Sequence, residues 1–186
     1  MNADRQDAAA PSGAAENTAI RVWDPLVRIV HWTVAAGCVL NLFVLESGDV
    51  HDVVGYIVAA AMAARIVWGF VGPGYARFSD FVRGPREIGG YLSDNLRGRA
   101  RRYIGHNPAA AVMMLALMAL VVGVSVTGYM MGTDAYWGVE WVEHLHEWFA
   151  DAILVLALLH AAAAIVESVR HKENLVWSMV TGRKRP

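Results

Sequence analysis

The stretch E-H-L-H-E-W-F-A-D-A-I-L-V-L-A-L-L-H, residues 143–160, opens at a polar margin and runs into an apolar segment that continues to Val166. A run of that length can cross a bilayer as one helix. His146 and His160 are fourteen residues apart. At about 3.6 residues per turn this is close to four whole turns, so both imidazoles lie on nearly one face, roughly 40° apart in azimuth. A rise of about 1.5 Å per residue separates them by about 21 Å along the axis, one near each end of the hydrocarbon layer. His144, sixteen residues from His160, falls on roughly the opposite side and cannot stand in for His146.

Composition agrees with a membrane-embedded chain. The 186 residues are 56% hydrophobic and the mean hydropathy is positive, which is unusual for a soluble domain. Long apolar runs alternate with charge-rich connections, the pattern of a polytopic membrane protein. The single cysteine, Cys38, lies inside an apolar run. This excludes a disulfide within the chain, covalent haem attachment through C-x-x-C-H, and a cysteine-held iron–sulfur cluster or structural zinc.

Residues 1–19 are rich in Ala, Asp, Asn, Ser and Pro and are expected to form a disordered tail. They contain no apolar core of a cleaved signal peptide. Residues 20–186 are expected to form one domain. Its first membrane helix is placed at about 26–45, with Pro25 at its first turn and His31 in its second. The bend E-S-G-D-V is short, so the second helix, about 51–70, runs antiparallel beside the first. His51 stands at its start and Arg65 near its end. The connection 71–107 is basic, and part of it, about 85–96, reads as an interfacial helix with Ile88, Tyr91 and Leu92 towards lipid. A third membrane helix, about 108–131, carries neither charge nor histidine. The fourth spans about 143–169, and the basic end of the chain begins with a further interfacial turn.

The basic residues orient this bundle. Arg5, Arg21, Arg28, Arg65, the seven arginines of the 76–107 connection, and Arg170, Lys172, Arg183, Lys184 and Arg185 all fall on one side, and these are all sixteen Lys and Arg. The opposite side carries Glu46, Asp49, Asp52, Asp134, Glu140, Glu143 and Glu147. By the positive-inside rule both termini are cytoplasmic.

This topology matches the histidines in depth. His31 and His160 lie near the cytoplasmic side, His51 and His146 near the outer side. A lone histidine at a helix end is often an interfacial polar residue, but histidines within membrane segments are uncommon and usually functional. Four that match in two layers suggest two bis-histidine sites, each holding the iron of a non-covalent b-type haem. Zinc fits less well, because two imidazoles without a cysteine or carboxylate at helical spacing give too few ligands.

Four blocks carry a family resemblance: W-D-P-L-V-R-I-V-H-W (23–32), R-I-V-W-G-F-V-G-P-G-Y-A-R-F-S-D-F (65–81), G-H-N-P-A (105–109) and H-K-E-N-L-V-W-S-M-V-T-G-R-K-R (171–185). Across residues 22–185 the chain resembles the bacterial cytochrome b561 family and the similar b-type cytochrome subunit of nickel–iron hydrogenases. Family patterns often have glycine where this chain has Ala110, a small departure. The resemblance implies an all-α, up-down bundle of four transmembrane helices enclosing two b haems, with electron exchange with the quinone pool. Carried over by position, His31, His51, His146 and His160 match the family's haem ligands. Arg65 is placed to meet haem propionates, its alternative being a snorkelling interface residue. Asn107 is a quinone-site candidate by likeness to related quinone-reducing cytochromes, its alternative being a helix cap.

The expected function is therefore that of a di-haem electron carrier in the bacterial inner membrane, part of a respiratory chain. It would pass single electrons between a quinone and a periplasmic redox protein or hydrogenase-like subunit. No nucleic acid is expected as a partner, and a homodimer is compatible with the sequence. The competing readings are a stand-alone quinone-coupled oxidoreductase for a small outer donor such as superoxide, and a haem-free proton-relay transporter. The uncharged third helix argues against the transporter. The charge asymmetry predicts that a reporter fused after Pro186 is active only in its cytoplasmic form, and that one inserted at Asp134 is active only in its exported form. Paired alkaline phosphatase and fluorescent-protein fusions check both, and the reverse result overturns the orientation.

Overall fold

The structure is a computed structural model that describes residues 20–99, 103 and 105–185. The expected tail, residues 1–19, and Arg101 and Arg102 of the basic connection lie outside the described residues. Four helices are long and apolar enough to cross a membrane: α1 (Pro25–Phe43), α2 (Asp49–Val71), α5 (Pro108–Met131) and α6 (Glu140–Arg170). Each satisfies its own backbone hydrogen bonds, the condition for a segment that spans hydrocarbon. Between them lie two short helices, α3 (Phe78–Phe81) and α4 (Pro85–Leu96). After α6 come α7 (Leu175–Thr181) and a two-residue strand β2 (Arg183–Lys184), which pairs antiparallel with β1 (Ile20–Arg21).

Local chemistry sets the helix starts. Asp24 caps α1 by accepting a hydrogen bond from the Val27 amide at 3.0 Å, and Pro25 occupies the first turn. Its second carboxylate oxygen accepts from Trp68 Nε1 of α2 at 3.2 Å, so one side chain both starts a helix and ties it to its neighbour. Asn107 caps α5 through the Ala110 amide at 2.7 Å, again with proline next in line. α6 begins three residues before its expected start, at Glu140, with Glu140 and Glu143 in its first turn where the helix dipole favours acids.

Close packing runs in the order α1 with α2, α2 with α5, and α5 with α6. Val58, Met62, Met118, Val121 and Ile153 form the central core, joined by Val34, Cys38 and Val124. α1 and α2 approach closely at Gly37, where a Cβ would stand 2.3 Å from Cγ2 of Val58. Among the described residues, no comparable backbone packing joins α6 to α1 or α2.

A second cluster seals the end of the bundle where the two ends of the described chain meet. Val22, Trp23, Val27 and Ala76 are buried there, against Trp68, Tyr75 and Met179. The amides of Val22 and Trp23 both donate to Gly182 O, at 2.9 and 3.1 Å. Arg28 reaches the Val180 carbonyl, and the Lys184 ammonium sits 5.2 Å from the centre of a Trp23 ring. Gly182 has φ +80°, and a Cβ on it would stand 2.6 Å from Trp23 O, so both conformation and space require glycine.

The interfacial helix forms where expected but faces differently. Tyr91 is buried, edge-on to Tyr103 at 5.6 Å, while Leu92 is the exposed apolar residue. α4 packs on α5, so Tyr91 buries more apolar surface inward than towards lipid.

The Gly37 crossing predicts that Gly37→Leu overpacks the α1–α2 contact and costs about 1–3 kcal/mol. The expected readout is a lower thermal unfolding midpoint in detergent. Val58→Ala added to Gly37→Ala should recover more stability than the same change recovers elsewhere in the core.

Candidate functional site

Two pairs of imidazoles reach across from α6 to the helices it does not otherwise pack on closely. His31 of α1 and His160 have ring centroids 6.5 Å apart, with planes at 53°. His51 of α2 and His146 have centroids 6.3 Å apart, with planes at 55°. The four ligand candidates thus come together in the pairs expected from their depths. Two imidazole–metal bonds of about 2.1 Å, each extended by roughly 1.1 Å from nitrogen to ring centre, put centroids about 6.4 Å apart. Both pairs therefore fit one iron between two rings. Among the described residues, no group of three or more His, Cys, Asp or Glu side chains is placed to hold a metal.

Hydrogen bonds orient the His51–His146 pair, the one expected on the outer side. His51 Nδ1 lies 2.6 Å from Leu45 O, in the turn after α1. A carbonyl only accepts, so Nδ1 carries the proton and Nε2 keeps its lone pair. The Asn41 amide donates to His51 O at 3.0 Å and holds the start of α2 against α1. His146 Nδ1 lies 3.0 Å from Thr127 Oγ1 of α5. Gly128 leaves room for that ring, since a Cβ there would stand 3.1 Å from His146 Cε1. The inner pair differs: His31 Nδ1 is buried without a hydrogen-bond partner.

Arg65, fourteen residues after His51 on α2, lies at the level of the His31–His160 pair. It is only 6% exposed, so it does not snorkel. Its guanidinium stands 5.5 Å from the centre of the Phe78 ring. Both terminal nitrogens are buried without a partner. An unpaired guanidinium in that position is unfavourable unless an anion completes it, and a carboxylate such as a haem propionate has the required charge and fork-matching shape. Asn107 uses its side-chain oxygen in the α5 cap. His144 is largely exposed beside Glu147, at 3.5 Å, and His171 is 3.1 Å from Glu167.

Sequence reading passed over Thr127 and Asp24, and placed His106 only beside Asn107 at the cytoplasmic start of the third membrane helix. Thr127 had one signal, a small hydroxyl at the outer end of a helix without charge or histidine. His106 packs against Trp23 and Phe81, at 4.7 and 4.9 Å between ring centres, and its Nδ1 is sealed from solvent. Burial first, then the charges of Lys184, Arg65 and His160, push its pKa down to about 3.

Residues 22–182 match the family model described as prokaryotic cytochrome b561. Among curated relatives, a probable Ni/Fe-hydrogenase B-type cytochrome subunit of Azotobacter vinelandii is 24% identical, covering 90% of this chain and 89% of its own. Proteins of the same description from Rhodobacter capsulatus and Bradyrhizobium diazoefficiens are 27% and 26% identical, covering 90% and 89% of this chain and 82% and 86% of their own. No solved structure gives a significant match.

The neutral, buried His106 predicts a pH response of the terminal clasp. Its folded pKa lies below the ordinary histidine value of about 6.5, so the unfolded cap binds more protons between the two. Stability is full above pH ~6.5 and declines as pH falls towards 3. Amide exchange in residues 20–23 and 182–184 should accelerate over that window, and His106→Phe should flatten the response.

Proposed function

Because this chain belongs to the prokaryotic cytochrome b561 family of membrane-embedded b-type cytochromes, we propose that it carries electrons through two bis-histidine haem sites. These would link a membrane quinone to a redox partner on the outer face of the bacterial inner membrane. The observation that carries this reading is the pair of cross-helix imidazole contacts, at 6.5 and 6.3 Å, in two layers. His31 and His160 would hold one b haem and His51 and His146 the other, each bound group supplying a one-electron ferric/ferrous couple.

The chain's own residues do the rest. Leu45 O and Thr127 Oγ1 fix the orientation of the outer imidazoles. Arg65 would anchor inner-haem propionates with its two unpartnered nitrogens. The core of Val58, Met62, Met118, Val121 and Ile153 keeps water from the space between the layers, which lowers the dielectric around any charge moving there. Asn107 remains the candidate to meet a quinone at the cytoplasmic side, through its amide because its oxygen caps α5. The likeness to probable Ni/Fe-hydrogenase B-type cytochrome subunits supports a hydrogenase-like subunit as the outer partner. The acidic outer connections would steer a basic surface towards it.

A pyridine haemochrome count on purified protein tests this directly. Two haems per chain with low-spin b-type spectra are expected, and His146→Ala should retain one of them. One haem in the wild type would overturn the pairing of four histidines, and none would bring a haem-free transporter forward. Co-purification with a hydrogenase-like subunit supports the assembly, and a chain that isolates alone and reduces quinone with a small outer donor overturns that partner.

A further inference from the structure

The two histidine pairs are built alike except in what holds their outer nitrogens. At the outer pair both Nδ1 atoms have acceptors. Leu45 O takes the proton of His51. Thr127, 3% exposed, has its own hydroxyl within 3.0 Å of Gly123 O and 3.1 Å of Val124 O, the carbonyls of its preceding turn. With its single proton committed to the helix, Oγ1 presents a lone pair to His146 Nδ1 at 3.0 Å. The Nδ1 of His146 is therefore the donor, and its Nε2 is left to face the partner ring. At the inner pair His31 Nδ1 has no such acceptor, and the cation Arg65 lies at the same level.

We propose that Thr127 is a positioning residue for His146 that sets a redox asymmetry between the two haem sites, making the outer one the harder to reduce. The proposal rests on the bis-histidine haem reading and extends it. An imidazole that donates its distal proton to an acceptor gains basicity at the ligating nitrogen, and a stronger donor favours the ferric over the ferrous state. A nearby cation acts the other way, favouring the state with one electron more. Both differences order the sites in one direction, with electrons running downhill from the outer layer to the inner.

Single-haem backgrounds make the test selective. His31→Ala should leave only the outer haem, and His51→Ala only the inner. Spectroelectrochemical titration should place the outer haem at the lower potential. Thr127→Val, which keeps the shape and removes the acceptor, should raise the potential in the His31→Ala background. It should leave the His51→Ala background unmoved. It should also weaken retention of the outer haem by roughly tenfold. Thr127→Ser, which restores the hydroxyl, should recover both. An outer haem at the higher potential overturns the proposal even if Thr127→Val fails to hold haem. So do equal shifts in both backgrounds, or none. A wild-type protein without haem overturns the haem reading and the proposal together, whereas two haems with potentials indifferent to Thr127 overturn the proposal alone.

Discussion

The placement of two imidazoles on one face of α6 constrains the rest of the bundle. Each meets a ring from a different helix, His160 with His31 of α1 and His146 with His51 of α2. α1 and α2 must therefore be antiparallel neighbours, with one offering its histidine near its start at the inner level and the other near its start at the outer level. The glycine crossing at Gly37 locks those two helices together. α5 stands between α2 and α6 and carries much of the apolar contact. α6 is thus supported from one side and turns its histidine face to helices it does not pack against closely. Among the described residues α6 makes no close backbone packing with α1 or α2, although its imidazoles stand 6.5 and 6.3 Å from theirs.

The hydrogen bonds that tie one helix to another cluster at the two ends of the span. At one end Asp24, Trp68, Arg65, His106 and the paired strands β1 and β2 form a polar cap. At the other, Asn41, Leu45 O and Thr127 hold the histidine pair. The difference is one of charge. The cap gathers arginine, lysine and a histidine kept neutral first by burial and then by their charges, while the opposite end relies on neutral hydrogen bonds to hydroxyl, amide and carbonyl groups. The blocks that carry the family resemblance fall largely in the cap. Their residues have local reasons: Asp24 caps one helix and holds another, Gly69 admits the Phe78 ring, and Gly182 admits the Trp23 carbonyl.

What the sequence determined by itself was whatever depends on periodicity, length and charge sign. Four apolar runs of spanning length, short bends and the separation of bases from acids were enough for the number of helices, and helix arithmetic placed His146 and His160 on one face. The depths of His31 and His51 followed from where their helices begin. The tertiary structure decided what depends on contacts across helices. Tyr91 turned inward because α4 lies on α5, a relation no single helix encodes. Arg65 was legible as a charge near a helix end, but only packing around α3 showed it sealed and unpartnered. Thr127 was invisible in an uncharged helix because its role is a distance to a side chain nineteen residues away. Periodic features repeat along the chain and can be read from it, whereas a hydrogen bond between helices exists only once their rotation and depth are fixed.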